Sequence, residues 1–358
     1  MTQSAPPLSP TIADIKALIR RESRRVTSYD VATVAGVSQS AVSRCFKPGA
    51  SVSKATLARV MQAAHELDYT PNAAARSLIT RRSNQVALIV SHVVTLYYPE
   101  VLSELSRQFG LRGMRILLFS LPREGDVGQT LSDVWQHQVD GAVVAAHLSP
   151  GQVAEFERRE IPFILFNRHL RGHSVNAIVC DQAEAARVLV SRLAAAGHRR
   201  FAMIEGPADS SVAKDRTRGV SERLAELGLA APLIVRGSYD YASGGRCLHA
   251  IVARLGGVPD AIICGNDIMA IGCLDTARHD LRLDVPGRLS ITGFGGAAQA
   301  SWTSYKLTTL RLPIQTMTQA ASDMLSGLIQ GNCSSAERRM FPATVIEGAT
   351  ARLGPAPF

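Results

Sequence analysis

Hydrophobic positions along the chain follow two different spacings. Between Val26 and Leu78 they recur at helical intervals in short stretches punctuated by Ser, Gly and Pro. From Val86 onward they form compact apolar runs that alternate with amphipathic stretches. In the first region Thr27 or Ser28 is placed to cap a helix, Asp30 completes a capping box with Thr27, and Val31, Ala32 and Val34 supply the inner face. Gly36 ends that helix, because glycine takes the left-handed turn without strain. Ser38 caps a second helix, Gln39 to Phe46, whose small residues Ala41, Val42 and Ser43 allow close packing. Ser53 caps a third that runs to Leu67, with Leu57, Val60, Met61 and Leu67 at core spacing. Pro71 stops it, and Asn72 can cap a brief helix through Leu78 or Ile79, too short to be stable alone in water.

The second region reads as nine apolar strands: VALIV, RILLFS, GAVVAA, FILFN, AIVC, RFAMIEG, LIVRG, AIICG and LSITGF. Helical stretches such as Pro99 to Gly110 and Ala183 to Ala196 lie between them, and KLTT reads as a further strand after a loop. Strand and helix in alternation give a mainly parallel sheet covered on both faces. So many strands exceed what one compact sheet needs. The expected fold class is therefore an all-α helix-turn-helix head followed by an α/β body of two Rossmann-like subdomains with a cleft between them.

A helix, a Gly-containing turn and a second helix form the unit whose second helix enters the major groove of DNA. Its outward residues here are Gln39, Ser40 and Arg44. Arginine can hold guanine and glutamine adenine with two hydrogen bonds each, worth about 1–3 kcal/mol of base discrimination. Charge supports this partner. Residues 1–83 carry 12 Lys/Arg against 5 Asp/Glu, whereas residues 84–358 carry 27 against 25, so the basic surplus lies where phosphates would be met. Residues 1–25 precede the head: the first ten are Pro/Ser-rich and expected to be disordered, and Thr11 to Arg25 can form a short basic helix. This extension reads as a phosphate-contacting arm, an inert tail or a misassigned start, with the inert tail preferred.

The stretches TSYDVATVAGVSQSAVSRCF, VSKATLARVMQAAHELDYTPNAAARSL and GNDIMAIGCLDTARHDLRLDVPGRLSITGFGG resemble the lac repressor family of bacterial transcription regulators (LacI/GalR type). Likeness runs from about Val26 to the C-terminal region. It implies a DNA-binding domain over 26–71, a hinge over 72–83, and a periplasmic-binding-protein-like body with one subdomain from 84–181 plus 312–340 and the other from 182–311 plus 341–358. Crossovers are implied near Asp181, Leu312 and Phe341. The hinge would order on DNA and push Leu78 into the minor groove, with Ala75 beside it and Asn72 and Arg76 near phosphates; such a wedge kinks the duplex at a cost of a few kcal/mol per unstacked step. Ser28, Tyr29, Ser38 and Ser43 complete the implied DNA-contacting set with Gln39, Ser40 and Arg44. A two-fold dimer would present its heads to a pseudopalindromic operator.

Ligands of open α/β sheets sit beyond the carboxyl ends of the strands. Tyr97 and Tyr98, Asn167 and Arg168, Asp181, Tyr239 and Tyr241, and Asn266 and Asp267 all follow expected strands. Arg216, in DRTRG, matches the family's Arg-x-x-Gly position near the effector. Arginine and aspartate facing each other can hold vicinal hydroxyls while an aromatic ring covers the apolar face of a sugar. The expected effector is thus a sugar, polyol or sugar acid, held by Arg216 and Asp267 first, then Asp181 and Tyr98, with Arg168 and Tyr239 beside them. Asp267 can equally cap the helix IMAIGCL, and Arg168 can be a solvated or ion-paired residue. The chain departs from the family where Thr95, Leu96 and Tyr97 stand for Asn-Pro-Phe, and where Gly295 and Gly296 replace two aspartates after Gly293 and Phe294.

Other functions are less well supported. GFGGAA superficially matches a nucleotide-binding fingerprint but lacks the following βαβ unit and acidic residue, and no GxSxG, P-loop or HExxH motif occurs. Histidines 65, 198 and 279 stand singly near helix ends, where structural roles prevail. Six cysteines show no CxxC pair or metal-ligand spacing, so no cofactor or metal is expected and buried free thiols fit a reducing cytoplasm. Neither a secretion signal nor an apolar run approaching about 20 residues is visible, which opposes a periplasmic solute-binding protein and any membrane partner. The reading is a homodimeric, effector-responsive repressor, with an effector-dependent activator or a corepressor-requiring regulator as alternatives.

Overall fold

The computed structural model describes residues 11–47, 49–71, 82–91, 97–121, 127–170, 172–332 and 335–356. The chain divides into two compact units, residues 1–83 and 84–358.

The first unit is helical: α1 (Ile12–Arg21), α2 (Ser28–Ala35), α3 (Gln39–Cys45) and α4 (Lys54–Glu66). Thr27 and Asp30 form the capping box of α2, Gly36 closes it at φ 60°, and Ser38 and Ser53 cap α3 and α4. Val31, Ala32, Ala35, Val42, Val60, Ala63, Ala64 and Leu67 make its core, and Ile15 of α1 is buried among them. Residues 12–21 are thus built into the unit, which differs from an inert tail. Leu57 and Met61 are not core residues; they are 40% and 47% exposed. Met61 is turned about 100° from Val60, and the inward stripe of α4 runs through Val60, Ala63, Ala64 and Leu67.

The second unit holds two six-stranded sheets among the described residues. One has the order β11-β5-β4-β3-β1-β2 and is parallel throughout. Its strands are β1 (Gln85–Ser91), β2 (Arg115–Leu121), β3 (Gly141–Ala145), β4 (Phe163–Phe166), β5 (Ala177–Cys180) and β11 (Arg338–Phe341). The other runs β12-β10-β9-β8-β6-β7, with β6 (Phe201–Glu205), β7 (Leu233–Arg236), β8 (Ala261–Cys264), β9 (Ser290–Gly295), β10 (Thr308–Arg311) and the antiparallel edge strand β12 (Thr344–Ile346). Strands β11 and β12 were not anticipated from the hydrophobic pattern, because RRMF and TVI are short, polar or exposed edge strands. Each sheet reverses its strand order beside its first strand, the place where open α/β sheets take ligands.

Helices cover both sheets: α5 (Tyr98–Leu111), α6 (Val127–Gln136), α7 (Pro150–Arg158), α8 (Gln182–Ala195), α9 (Ser211–Glu226), α10 (Tyr241–Leu255), α11 (Asp267–Asp275) and α12 (Ile314–Ile329). Reciprocal glycines fix α11 against α10: a Cβ on Gly244 would come within 2.1 Å of the Met269 carbonyl oxygen, and one on Gly272 within 2.0 Å of that of Tyr241. This close approach seats the amino end of α11, with Asp267, at the mouth of the second sheet. Among the described residues no helix is long and apolar enough to cross a membrane.

Candidate functional site

Segments following the strands of both sheets line a partly open pocket whose empty space, solvent at its mouth included, is about 580 Å³. From the first sheet come Tyr97, Tyr98, Asn167 and Arg168; from the second come Ser210, Arg216, Tyr239, Asn266, Asp267 and Phe294.

Arg216 lies fully inside the body. Its guanidinium stacks on Phe294, with Cζ 3.8 Å from the ring centroid, donates from Nε to Gln182 Oε1 at 2.9 Å, and donates from Nη1 to the Gly265 carbonyl. Burial pulls its pKa down, opposed by the attraction of Tyr239, Cys180 and Asp267. A planar cation held on an aromatic face with its fork oriented is suited to gripping paired oxygens. Asp267 is buried too. Its carboxylate accepts from the Thr309 hydroxyl and, at 2.6 Å, from the Ala297 amide. Burial raises its pKa, against the lowering effect of those hydrogen bonds and of Arg216.

The Gly295-Gly296 pair, where the resemblance leads one to expect aspartates, makes this second bond possible. Both have positive φ, 132° and 72°, and a Cβ on Gly296 would fall 2.6 Å from Arg311 Cβ. The tight turn brings the Ala297 amide onto Asp267. Backbone donors of Gly296 and Ala297 thus meet the Asp267 carboxylate.

Opposite them, Asn167 takes a left-handed conformation at φ 53° and accepts from Gln182 Nε2 at 2.8 Å. Arg168 is buried, not solvated; it donates to the Asn167 carbonyl at 2.9 Å and to Ser91 Oγ at 3.3 Å. Tyr98 forms the first turn of α5 and meets Tyr97 edge to face at 5.5 Å. The Tyr97 hydroxyl is buried with no hydrogen-bond partner among the described residues, and burial pushes its pKa far above the usual phenol range. A hydroxyl so placed beside a pocket can donate to a molecule bound there. Tyr239 holds φ 60°, rare for a bulky residue, with its hydroxyl 3.3 Å from Ser210 Oγ. Its ring fills the space over Gly206, where a Cβ would lie 2.2 Å from it.

Several expectations need correction. Asp181 does not line the cavity; it caps α8, accepting from the Glu184 amide at 2.9 Å. Tyr241 is 47% exposed and bonds Asp275. Asp267 is not the cap of α11: Asn266 is, through the Met269 amide at 3.0 Å, because Asn266 is the extended residue and Asp267 already helical. Gln182, Ser210 and Phe294 were missed, since their roles depend on partners distant in sequence. In the head, Ser40, Ser43 and Arg44 are exposed on α3, while Gln39 is half-buried and donates to Ser28 Oγ at 3.2 Å. Ser38 caps α3 and lies 3.0 Å from Ser40 Oγ, and Tyr29 is 70% exposed at the start of α2. Asn72, Ala75, Arg76 and Leu78, like Thr95 and Leu96, lie outside the described residues.

Comparison with known proteins places these features. Residues 27–72 match the description "Bacterial regulatory proteins, lacI family" and residues 190–351 match "Periplasmic binding protein-like domain". The HTH-type transcriptional regulator AscG of Escherichia coli (strain K12) is 30% identical over 315 residues, which is 85% of this chain and 92% of that protein. Among solved structures, the lac repressor dimer bound to operator and the anti-inducer ONPF superposes with a TM-score of 0.83 at 23% identity, covering 91% of this chain and 99% of that one. A complex of the transcriptional regulator CelR with cellobiose superposes with a TM-score of 0.69 at 25% identity, over 91% of this chain and 100% of that one. With a relative of that identity along most of both chains and a head that matches the family's own description, the chain belongs to the lacI family of bacterial regulatory proteins, as a helix-turn-helix transcription regulator and not an enzyme.

Proposed function

We propose that this regulator is a cytoplasmic homodimer that represses transcription from a pseudopalindromic operator and is controlled by a small hydroxylated effector, a sugar, polyol or sugar acid. The observation that carries the effector reading is the lining of one pocket: Arg216 stacked on Phe294 and the buried Asp267 face the same space. A guanidinium donates, a carboxylate accepts, and the tyrosines supply apolar faces; that combination suits a ring bearing adjacent hydroxyls. CelR, whose complex contains cellobiose, supports the carbohydrate class.

In this reading Tyr98, Arg168, Arg216, Tyr239 and Asp267 contact the effector, and Tyr97 donates its orphaned hydroxyl. Residues 84–181 with 312–340 and 182–311 with 341–358 act as two lobes. On the DNA side Arg44, Ser40 and Ser43 face the major groove, with Gln39 oriented by Ser28, and Leu78 serves as the minor-groove wedge, with Ala75 beside it and Asn72 and Arg76 near phosphates. Effector and operator prefer different placements of the lobes, since a ligand that bound both states equally would switch nothing.

The test begins with duplexes that the purified protein selects from a randomised library at near-physiological salt. Recovery of a pseudopalindrome supports the dimeric reader; indiscriminate binding refutes it. Thermal-shift screening against sugars, polyols and sugar acids then identifies stabilising compounds, and Arg216→Ala should lose that stabilisation while still binding the selected duplex. If Arg216→Ala keeps the full response, the cleft assignment fails.

A further inference from the structure

We propose that α1, which precedes the stretch matched by the family description, is a second DNA-contacting element whose Lys16, Arg20 and Arg21, with Arg25 just beyond it, bind phosphates flanking each half-site. The inference rests on the operator reading above and extends it to a segment that the reading does not use.

The segment is folded for a purpose other than solubility. Thr11 and Asp14 form a capping box at its start, and Ile15 is buried in the head core with Ile12 and Ile19 partly buried beside it. At its other end Arg24 grips the Asp30 carboxylate with both terminal nitrogens, at 2.7 and 2.8 Å. The helix is therefore held to the head by its inward apolar stripe and by the Arg24 contact just beyond its carboxyl end.

What it leaves outward is strongly one-sided. Lys16, Arg20, Arg21 and Arg25 are exposed, and none of them forms an ion pair among the described residues. The nearby carboxylates are already engaged: Asp14 accepts from Thr11, and Glu22 and Asp30 both accept from Arg24. One arginine thus neutralises two acids, and four cations remain unpaired on a short segment.

Their location decides the partner. Asp30 is the third residue of α2, so the Arg24 contact fixes this end of the segment beside the amino end of α2. Arg25 lies two residues before the Thr27 cap, within about 8 Å of it by chain geometry. The first helix of a helix-turn-helix unit crosses the phosphate backbone, and a helix amino end with its free N–H groups favours phosphate. Arg25 stands beside that end, and Arg21, Arg20 and Lys16 continue the line of unpaired cations back along α1.

The full-length protein and the Lys16→Gln/Arg20→Gln/Arg21→Gln/Arg25→Gln variant are compared on the duplex that the wild type selects, from about 50 to 200 mM salt. Glutamine keeps helix propensity close to that of Lys and Arg, and all four side chains point away from the core. The variant should lose affinity equally for all sequences, and its plot of log K against log salt should be shallower by about 0.9 for each phosphate contact removed. Arg20→Lys/Arg21→Lys/Arg25→Lys should keep the wild-type slope, and hydroxyl-radical protection flanking each half-site should disappear only in the glutamine variant. An unchanged slope overturns the proposal, whether affinity is retained or lost, because a purely structural role would not carry counterion release. A wild type that selects no duplex overturns the operator reading and this proposal together.

Discussion

Arg216 and Asn167 stand on opposite sides of the cavity and are joined through Gln182, which accepts from Arg216 Nε at 2.9 Å and donates to Asn167 Oδ1 at 2.8 Å. A guanidinium can only donate, so the oxygen of Gln182 must face it and the amide nitrogen must face Asn167. Both lining residues are thereby oriented by a third residue that does not line the cavity. Gln182 opens α8, the first helix after the chain leaves the first sheet, so any shift of one set of strands relative to the other is felt in this relay.

Replacing Gln182 by Leu removes one acceptor and one donor from a buried site. Each group left unsatisfied costs about 1–3 kcal/mol, so chemical denaturation should show a body less stable by a few kcal/mol. The effector that stabilises the wild type should bind at least tenfold more weakly to Gln182→Leu, measured by calorimetry. Gln182→Glu should keep the bond to Arg216 but set two acceptors face to face at Asn167, giving an intermediate loss. Equal affinities in all three proteins would remove Gln182 from the effector response.

Asp267 predicts a trade between stability and response. Burial raises its pKa above the ordinary 3.8, so above 3.8 the unfolded chain releases a proton that the folded chain still holds. Stability contributed by the protonated form is present below that value and is lost as pH rises through the folded pKa. Asp267→Asn mimics the protonated form. Its melting temperature relative to wild type should therefore increase with pH across that window, while the effector no longer shifts it. A constant difference between the two proteins at every pH would contradict the buried-acid account.

Local chemistry was readable from the residues and distant chemistry was not. Thr27 with Asp30, Gly36 and the caps Ser38 and Ser53 each act within four positions, and spacing alone located them. Asn266 and Asp267 are adjacent acceptors, and only the extended backbone at Asn266 decides which one caps. Asp181 follows a strand in the manner of a ligand residue, yet its carboxylate turns into its own helix. Phe294 and Gln182 touch Arg216 from 78 and 34 positions away; no periodicity encodes such a meeting. Exposure of Leu57 and Met61 likewise depends on which neighbours the fold brings to α4, which the helical stripe does not report.

His198 is a structural histidine with a predictable acid response. Its Nδ1 meets the Leu193 carbonyl at 2.7 Å and its Nε2 meets Ser290 Oγ at 2.8 Å, so the neutral ring donates from the first and accepts at the second. Burial lowers its pKa below 6.5 in spite of the carbonyl. Below 6.5 the unfolded chain binds a proton that the folded chain refuses, and stability falls as pH drops from that value through the folded pKa. Thermal melts should show this loss in the wild type. His198→Gln should be less stable at neutral pH by about 1–3 kcal/mol but should lack this component of the acid sensitivity.

The pairing of Arg24 with Asp30 sets a different acid limit on the head. Arg24, foremost, together with Thr27, lowers the Asp30 pKa from 3.8 to about 2. The carboxylate therefore stabilises the head above 3.8, and this contribution disappears as pH falls from there toward 2. Asp30→Asn keeps the size of the side chain but gives up its charge and one of its acceptor oxygens, at the start of the helix where anions are favoured. Loss of a capping side chain costs about 0.5–2 kcal/mol, and Arg24 also loses the partner that docks the end of α1. Hydrogen exchange on the full chain should then show α2 amides less protected by up to about thirtyfold, since each 1.4 kcal/mol is a factor of ten, with α1 amides following. The body should exchange as in the wild type. If α1 stays fully protected in Asp30→Asn, its docking depends on the apolar stripe of Ile12, Ile15 and Ile19 and the Arg24 contact is incidental.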